Sequence, residues 1–171
     1  TTARTQLEVT NGICFNLSGD MHRSILKQHL WIDAFLSNAY NKQKQLTGVL
    51  QRIRNTPFDF TKPREIGERI RRTNNGYDNA YQLRHPDNMQ KPAAILFDAQ
   101  SGRAMTVYSS EPTLCINTYG KASSSISLQP LHSGYNSGME KISQGLEPGQ
   151  VFHGATVFFF TTDPPLLMRT K

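Results

Sequence analysis

The stretch from Thr56 to Ile70, T-P-F-D-F-T-K-P-R-E-I-G-E-R-I, limits the fold more than any other part of this chain. It cannot be a periodic element. Pro57 and Pro63 lack an amide donor and hold φ at the value their rings impose, while Gly67 can take dihedrals that other residues avoid. With Phe58-Asp59-Phe60 setting a carboxyl between two aromatic rings, the run is a shaped loop, one backbone path that neighbouring strands must fit. Gly76-Tyr77-Asp78-Asn79 follows it closely.

The segments on either side are short and strand-like. From Thr5 to Phe15, Leu7, Val9, Ile13 and Phe15 interleave with polar residues at the period of a half-buried strand, interrupted at Asn11-Gly12, a turn or bulge signal. Over Ile25 to Tyr40, Leu30, Ile32 and Ala34 alternate with His29, Trp31 and Asp33; helical spacing competes as far as Leu36, but alternation favours a strand. Asn79 to Leu83 and Ala93 to Asp98 are short apolar segments around a His85-Pro86-Asp87 turn. Ile95-Leu96-Phe97 and Met105-Thr106-Val107-Tyr108 flank the glycine-bearing Ala99 to Arg103, which predicts a hairpin. Ser123 to Leu131 is a polar, serine-rich segment. Thr156 to Thr161 reads as the last strand, stopped by Asp163-Pro164-Pro165. The expectation is one all-β domain over residues 1–162 and a loose C-terminal tail over 163–171.

At 171 residues the chain is long enough to bury a real core. No run approaches the roughly 18 apolar residues of a membrane span, and no basic-then-apolar signal opens the chain. Thr1 in place of Met suggests a processed or excised product, which leaves processing or secretion open. Cys14 and Cys115 have no metal-ligand spacing, so two buried reduced thiols is the ordinary reading. The net charge of +6 is concentrated: from Asn41 to Arg72 nine Lys and Arg side chains face three carboxylates, and nine minus three is the whole excess. A polyanion could meet this stretch, but no nucleic-acid module is present, so a solvated basic face is favoured over nucleic-acid binding.

Several segments taken together resemble the aldose 1-epimerase (galactose mutarotase) family. Thr10-Asn11-Gly12-Ile13-Cys14-Phe15-Asn16-Leu17-Ser18-Gly19 is similar to the family's T-N-H-x-Y-F-N-L-x-G, Gly76 to Tyr81 to its G-[YF]-D-H-x-[FY], Glu111 to Gly120 to its E-P-G-x-Q-x-Y-T-G-N, and the Leu146 to Phe160 stretch to its closing strand, with Phe152 in a tyrosine place. Family members run to roughly twice this length, and the matched part is their C-terminal half. The resemblance implies an antiparallel β-sandwich of the galactose mutarotase-like (supersandwich) type, about half of the usual domain. It also implies a cytoplasmic setting, no cofactor and no metal. Half a sandwich exposes edges and an apolar face, so a companion chain, a homo-oligomer or a rebuilt closure is expected. The sequon Asn16-Leu17-Ser18 lies inside a motif of packed family core, and a buried asparagine is favoured over a glycosylated one.

Mutarotation needs a base for the anomeric hydroxyl proton and an acid for the ring oxygen. The resemblance puts Gln129 in the base position and Gly12 in the acid position. An amide cannot accept that proton and glycine has no side chain, so both proton carriers are absent; His132 is a possible substitute, set against a turn histidine with no chemical role. Asp78 keeps the sugar-binding aspartate, with Asn79 replacing the histidine beside it, although an aspartate that merely shapes its own turn fits equally. Asn11 and Gln129 are the other implied sugar contacts, and Cys115 stands where a glutamine lines the site. The leading reading is a degenerate aldose 1-epimerase-like protein that binds a monosaccharide of the galactose or glucose type, or serves structure, with little or no catalysis. Alternatives are an active epimerase completed by a companion chain and a basic interaction module.

Overall fold

Alternating apolar and polar residues make strands with one buried face, and two sheets of such strands carry this fold. A computed structural model describes residues 2–7, 9–40, 46–73, 76–119, 123–132, 134–135, 141–142 and 145–168. The sheet strands are β1 (Cys14–Phe15), β2 (His29–Ile32), β3 (Ala34–Tyr40), β4 (Leu46–Arg52), β5 (Arg64–Glu65), β6 (Asp78–Leu83), β7 (Ala94–Asp98), β8 (Arg103–Ser109), β9 (Thr113–Tyr119), β10 (Ser125–Leu131) and β11 (Thr156–Thr161). One sheet has the order β1-β10-β9-β6-β3-β4, the other β11-β8-β7-β2-β5, and all pairings are antiparallel. Two short pairs, Thr5–Gln6 with Gly145–Leu146 and Gly134–Tyr135 with Lys141–Ile142, lie outside them. The only helical turns among the described residues are of the 3-10 type.

The core lies between the sheets. Leu30, Ile32, Leu96, Met105 and Val107 come from one; Tyr81, Leu114, Ile116, Ile126 and Leu128 come from the other. Each large apolar side chain removed from water contributes about 1.5–3 kcal/mol, so this interdigitation sets which face of each strand is inward.

The expected single strand over Ile25 to Tyr40 is two strands in different sheets. The alternation of Leu30, Ile32 and Ala34 runs through unbroken, yet the chain passes from one sheet to the other at Asp33. There Asp33 N–H donates to Ala93 O and Arg84 N–H to Asp33 O, both 2.9 Å. Local pattern is blind to this, because the buried face stays continuous across the bend. The strand expected over Thr5 to Phe15 is likewise broken: among the described residues only its ends pair, Gly12 has a φ of +61°, and Val9 and Ile13 are exposed. The hairpin of β7 and β8 forms as expected, with Asp98 opposite Arg103.

The Thr56–Ile70 stretch packs onto β6; Arg64–Glu65 within it pairs with His29–Leu30 as β5 and Ile66–Glu68 makes a 3-10 turn, so the reading of a wholly irregular loop is corrected. Phe60 and Ile66 are fully buried, and Tyr77 lies edge-on to Phe60 and Phe58 at 5.1 and 6.3 Å. Tyr81 Oη donates to Phe58 O at 3.0 Å. Asp59 organises the turn: its carboxylate accepts from Asn55 N–H (3.0 Å), Thr61 N–H (3.1 Å) and Thr61 Oγ–H (2.6 Å). Gly67 serves by size and not by unusual dihedrals. Its φ is not positive, but a Cβ there would lie 2.9 Å from both Leu26 Cβ and Leu26 O.

Beyond Thr162 the chain, expected to be loose, turns back on the body. Leu166–Met168 forms one 3-10 turn, Met168 N–H donates to Pro165 O at 2.8 Å, and Met168 is buried. Cys14 is exposed and Cys115 half-buried, so the buried-thiol reading is corrected.

Candidate functional site

Strand register builds the site. Residues directly opposite one another share a face, and alternate residues share it along each strand. One row across the six-stranded sheet is therefore Cys14, Ser127, Asn117 and Asp78, and the next is Gln129, Cys115 and Ala80. The intervening residues, Ile126, Leu128, Ile116 and Tyr81, face the core. The face of β10, β9 and β6 turned away from the core thus carries, as a strip, the amides of Gln129 and Asn117, the thiol of Cys115 and the carboxylate of Asp78, with Ser127 and Ala80 buried among them. Asp78 and Gln129 stand two strands and two residues apart, about 12 Å between Cα atoms from ordinary strand spacings.

The loop before β1 lies over this strip. Thr10 Oγ–H donates to Gln129 Oε1 at 3.0 Å, holding that amide oxygen as an acceptor. Asn11 shapes its own turn, its Oδ1 accepting from Ile13 N–H at 3.0 Å. A Cβ built on Gly12 meets nothing within 4 Å, so the position borders open space. The structure therefore brings Asn11, Gly12, Gln129 and Asp78 to one side of the sheet.

His132 is engaged elsewhere. It lies just past the end of β10, where its Nδ1–H donates to the buried Glu111 Oε2 at 3.0 Å and Phe152 packs edge-on to its ring at 4.8 Å. Glu111 also packs against Gly154, where any side chain would collide with its Oε1. This cluster binds the start of β9 to the segment entering β11. Nothing in the sequence near His132 marks Glu111 as its partner, because they meet only through strand pairing.

The family-like motifs also meet in space. Leu17 O accepts from Ser101 Oγ at 2.8 Å and from Arg103 Nη1 at 3.2 Å, joining the F-N-L-S-G stretch to the β7–β8 hairpin. Asn16 Nδ2 lies within hydrogen-bond distance of Asp20 O, Arg23 O and Ser124 O, which leaves the sequon nitrogen occupied. In the basic stretch Arg64 pairs with Glu68 at 3.2 Å, and Arg69 donates to Thr56 O at 2.9 Å, so both hold the loop. Arg52, Arg54, Lys62, Arg71 and Arg72 remain exposed; Lys42 and Lys44 lie outside the described residues.

Burial pushes the Tyr77 hydroxyl up to about 12, against the opposing charges of Arg64 and Arg69. For Asp59, burial acts to raise the carboxyl, but the hydrogen bonds from Thr61 and Asn55 and the charge of Arg64 outweigh it and hold the group below its ordinary value. Among the described residues no group of three or more His, Cys, Asp or Glu side chains could hold a metal ion. No helix among them is long and apolar enough to cross a membrane.

Two antiparallel sheets with a polar strip on the outer face of one define a galactose mutarotase-like fold. An aldose epimerase homologue from C. elegans superposes with a TM-score of 0.76 at 17% identity, over 91% of this chain and 51% of that one. The galactose 1-epimerase of Lactobacillus acidophilus gives 0.72 at 18% identity, over 94% and 50%. The chain belongs to the aldose 1-epimerase family, whose pattern matches residues 1–158. Galactose mutarotases of Sus scrofa and Bos taurus are 25% and 26% identical over 92% of this chain. It spans about half of their length, 50% in each case.

Proposed function

We propose that this chain is a monosaccharide-binding half-domain of the aldose 1-epimerase type, with little or no catalysis of its own, whose sugar-facing surface is the outer face of β6, β9 and β10. The observation that carries this reading is Gln129 on that face, hydrogen-bonded to Thr10 at 3.0 Å and sharing it with Asp78. Asp78 is a bidentate acceptor suited to vicinal hydroxyls of a galactose- or glucose-type ring. Gln129 orients a hydroxyl but does not take its proton. Proton transfers to and from a reacting group contribute about 10² to 10⁴ each, so the absence of both carriers leaves a binding surface.

NMR exchange spectroscopy on the α and β anomers of galactose and glucose tests this. The expected result is no acceleration, with sugar-specific line broadening that disappears in Asp78→Ala. Accelerated anomer exchange by the chain alone would overturn it.

A second reading is an active epimerase completed by a companion chain. It is supported by the open space beside Gly12, into which a partner's acid could reach. A companion of similar size in the mass of the undenatured protein, together with anomer exchange, is its signature. The basic-module reading draws less support, since Arg64 and Arg69 are spent on internal contacts.

A further inference from the structure

Gln129 is half-buried on the strip of β6, β9 and β10, and the two ends of its amide meet different fates. Thr10 Oγ–H donates to Oε1 at 3.0 Å, across 119 positions of sequence. The Nε2 end has no hydrogen-bond partner among the described residues. What Gln129 offers a ligand is therefore a pair of N–H donors.

Its neighbours do not supply the acceptor that Thr10 has taken. Directly across the ladder lies Cys115, whose thiol is a weak acceptor, and beyond it Ala80, which has none. Ser127, on the same face of β10, is 1% exposed. Asp78 and the amide of Asn117 beside it stand one row away, with about 12 Å between the Cα atoms of Asp78 and Gln129. The strip is polarised, with its carboxylate at one end and amide donors at the other.

A hydroxyl and an ether oxygen respond differently to those donors. A hydroxyl oxygen accepts the N–H but leaves its own proton without a protein partner, whereas an ether oxygen has no proton and is satisfied by donors alone. A carboxylate at the same place has the reverse preference, since it accepts from a hydroxyl and faces an ether with lone pairs against lone pairs. An amide pinned by Thr10 therefore suits a substituted oxygen. There is room for the substituent: a Cβ built on Gly12 meets nothing within 4 Å, and Asn11 and Gly12 are exposed.

We propose that the ligand of this face is a glycoside, a galactose- or glucose-type sugar whose anomeric oxygen is substituted. Gln129 Nε2–H donates to that oxygen, and the substituent runs out past Gly12. The inference rests on the monosaccharide-binding reading of the face, which sets the anomeric oxygen at Gln129. A free reducing sugar is the weaker ligand.

The test is titration of the isotope-labelled chain with galactose, glucose and their methyl α- and β-glycosides, read as dissociation constants and on the side-chain amide NMR signals of Gln129. A methyl glycoside is expected to bind more tightly than its free sugar and to shift the Nε2–H signals. Gln129→Glu keeps an acceptor for Thr10 and is expected to move the preference about tenfold toward the free sugar, the worth of one hydrogen bond to a carboxylate. Thr10→Val releases Oε1 and is expected to tighten the free sugar while leaving the glycoside unchanged. The methyl group is common to every comparison, so its own burial cancels from these shifts. Unchanged circular dichroism shows that both variants fold. A free-sugar preference in the unaltered chain would overturn the inference and leave the sugar-binding reading standing. So would a preference that Gln129→Glu or Thr10→Val fails to move. Absence of binding by all of these sugars would overturn both.

Discussion

Replacing Asp59 with alanine tests whether the Thr56–Ile70 loop holds the strand beneath the polar strip. The carboxylate accepts three hydrogen bonds, from Asn55 N–H, Thr61 N–H and Thr61 Oγ–H. Hydrogen bonds to a charged group contribute about 1.5–3 kcal/mol each. Asn55 is exposed and Thr61 half-buried, so water recovers part of the loss, and about 2–4 kcal/mol remains. That is a large share of the about 5–15 kcal/mol that holds a typical domain. The loop bears on β6 through Tyr77 and Tyr81, which flank Asp78 and Ala80, so its loosening is felt at the site. The assay is urea unfolding followed by fluorescence of Trp31, the only tryptophan, whose Nε1–H donates to Thr61 O at 3.1 Å and so reports on this loop. The pH dependence has a definite sign. A carboxyl held below its ordinary value stabilises the fold above the unfolded pKa of about 3.9, and that contribution is lost as pH falls through the folded value. The difference between wild type and Asp59→Ala therefore shrinks between pH 7 and pH 3. A loss below about 1 kcal/mol at pH 7, or an equal loss at both pH values, would refute the reasoning.

Tyr77 gives the alkaline counterpart: with its hydroxyl raised to about 12, its contribution is complete below pH 10 and is lost as pH rises toward 12. Tyr77→Phe is expected to remove up to about 2 kcal/mol of this alkaline loss, read as a flatter thermal midpoint from pH 9 to pH 12; an unchanged slope counts against it. Gln129→Glu keeps an acceptor for Thr10 and supplies the base, and Gly12→His supplies the acid in open space, at about 1–2 kcal/mol of left-handed backbone strain. The double variant, complemented by the other half of the family domain, is expected to gain about 10² to 10⁴ in anomer exchange per restored group. No gain in NMR exchange would mean that Gln129 and Gly12 are not the proton-carrier positions.

Much of this architecture is readable locally. The β7–β8 hairpin follows from a glycine-bearing turn between two short apolar runs, and the loop path follows from Pro57, Pro63 and the Phe-Asp-Phe triplet. The family pattern supplied the candidate positions by residue type and spacing. Strand pairing then placed Gln129 opposite Cys115, and Asp78 opposite Asn117 one row away, a relation across dozens of residues that no local pattern encodes.

Residue order along the chain thus sufficed for the β7–β8 hairpin and for the identity of the family, because these depend on neighbours within a few positions, whereas β4, β9 and β10 were not legible as strands. Tertiary structure alone decided that the chain changes sheets at Asp33, that His132 belongs to Glu111, and that Met168 returns to the body. It alone decided that both sheets stop together beside Phe15 and Phe158. The physical reason is common to all four: hydrophobic burial is satisfied by any apolar neighbour, so a buried position is written locally while its partner is chosen only when the sheets close on one another.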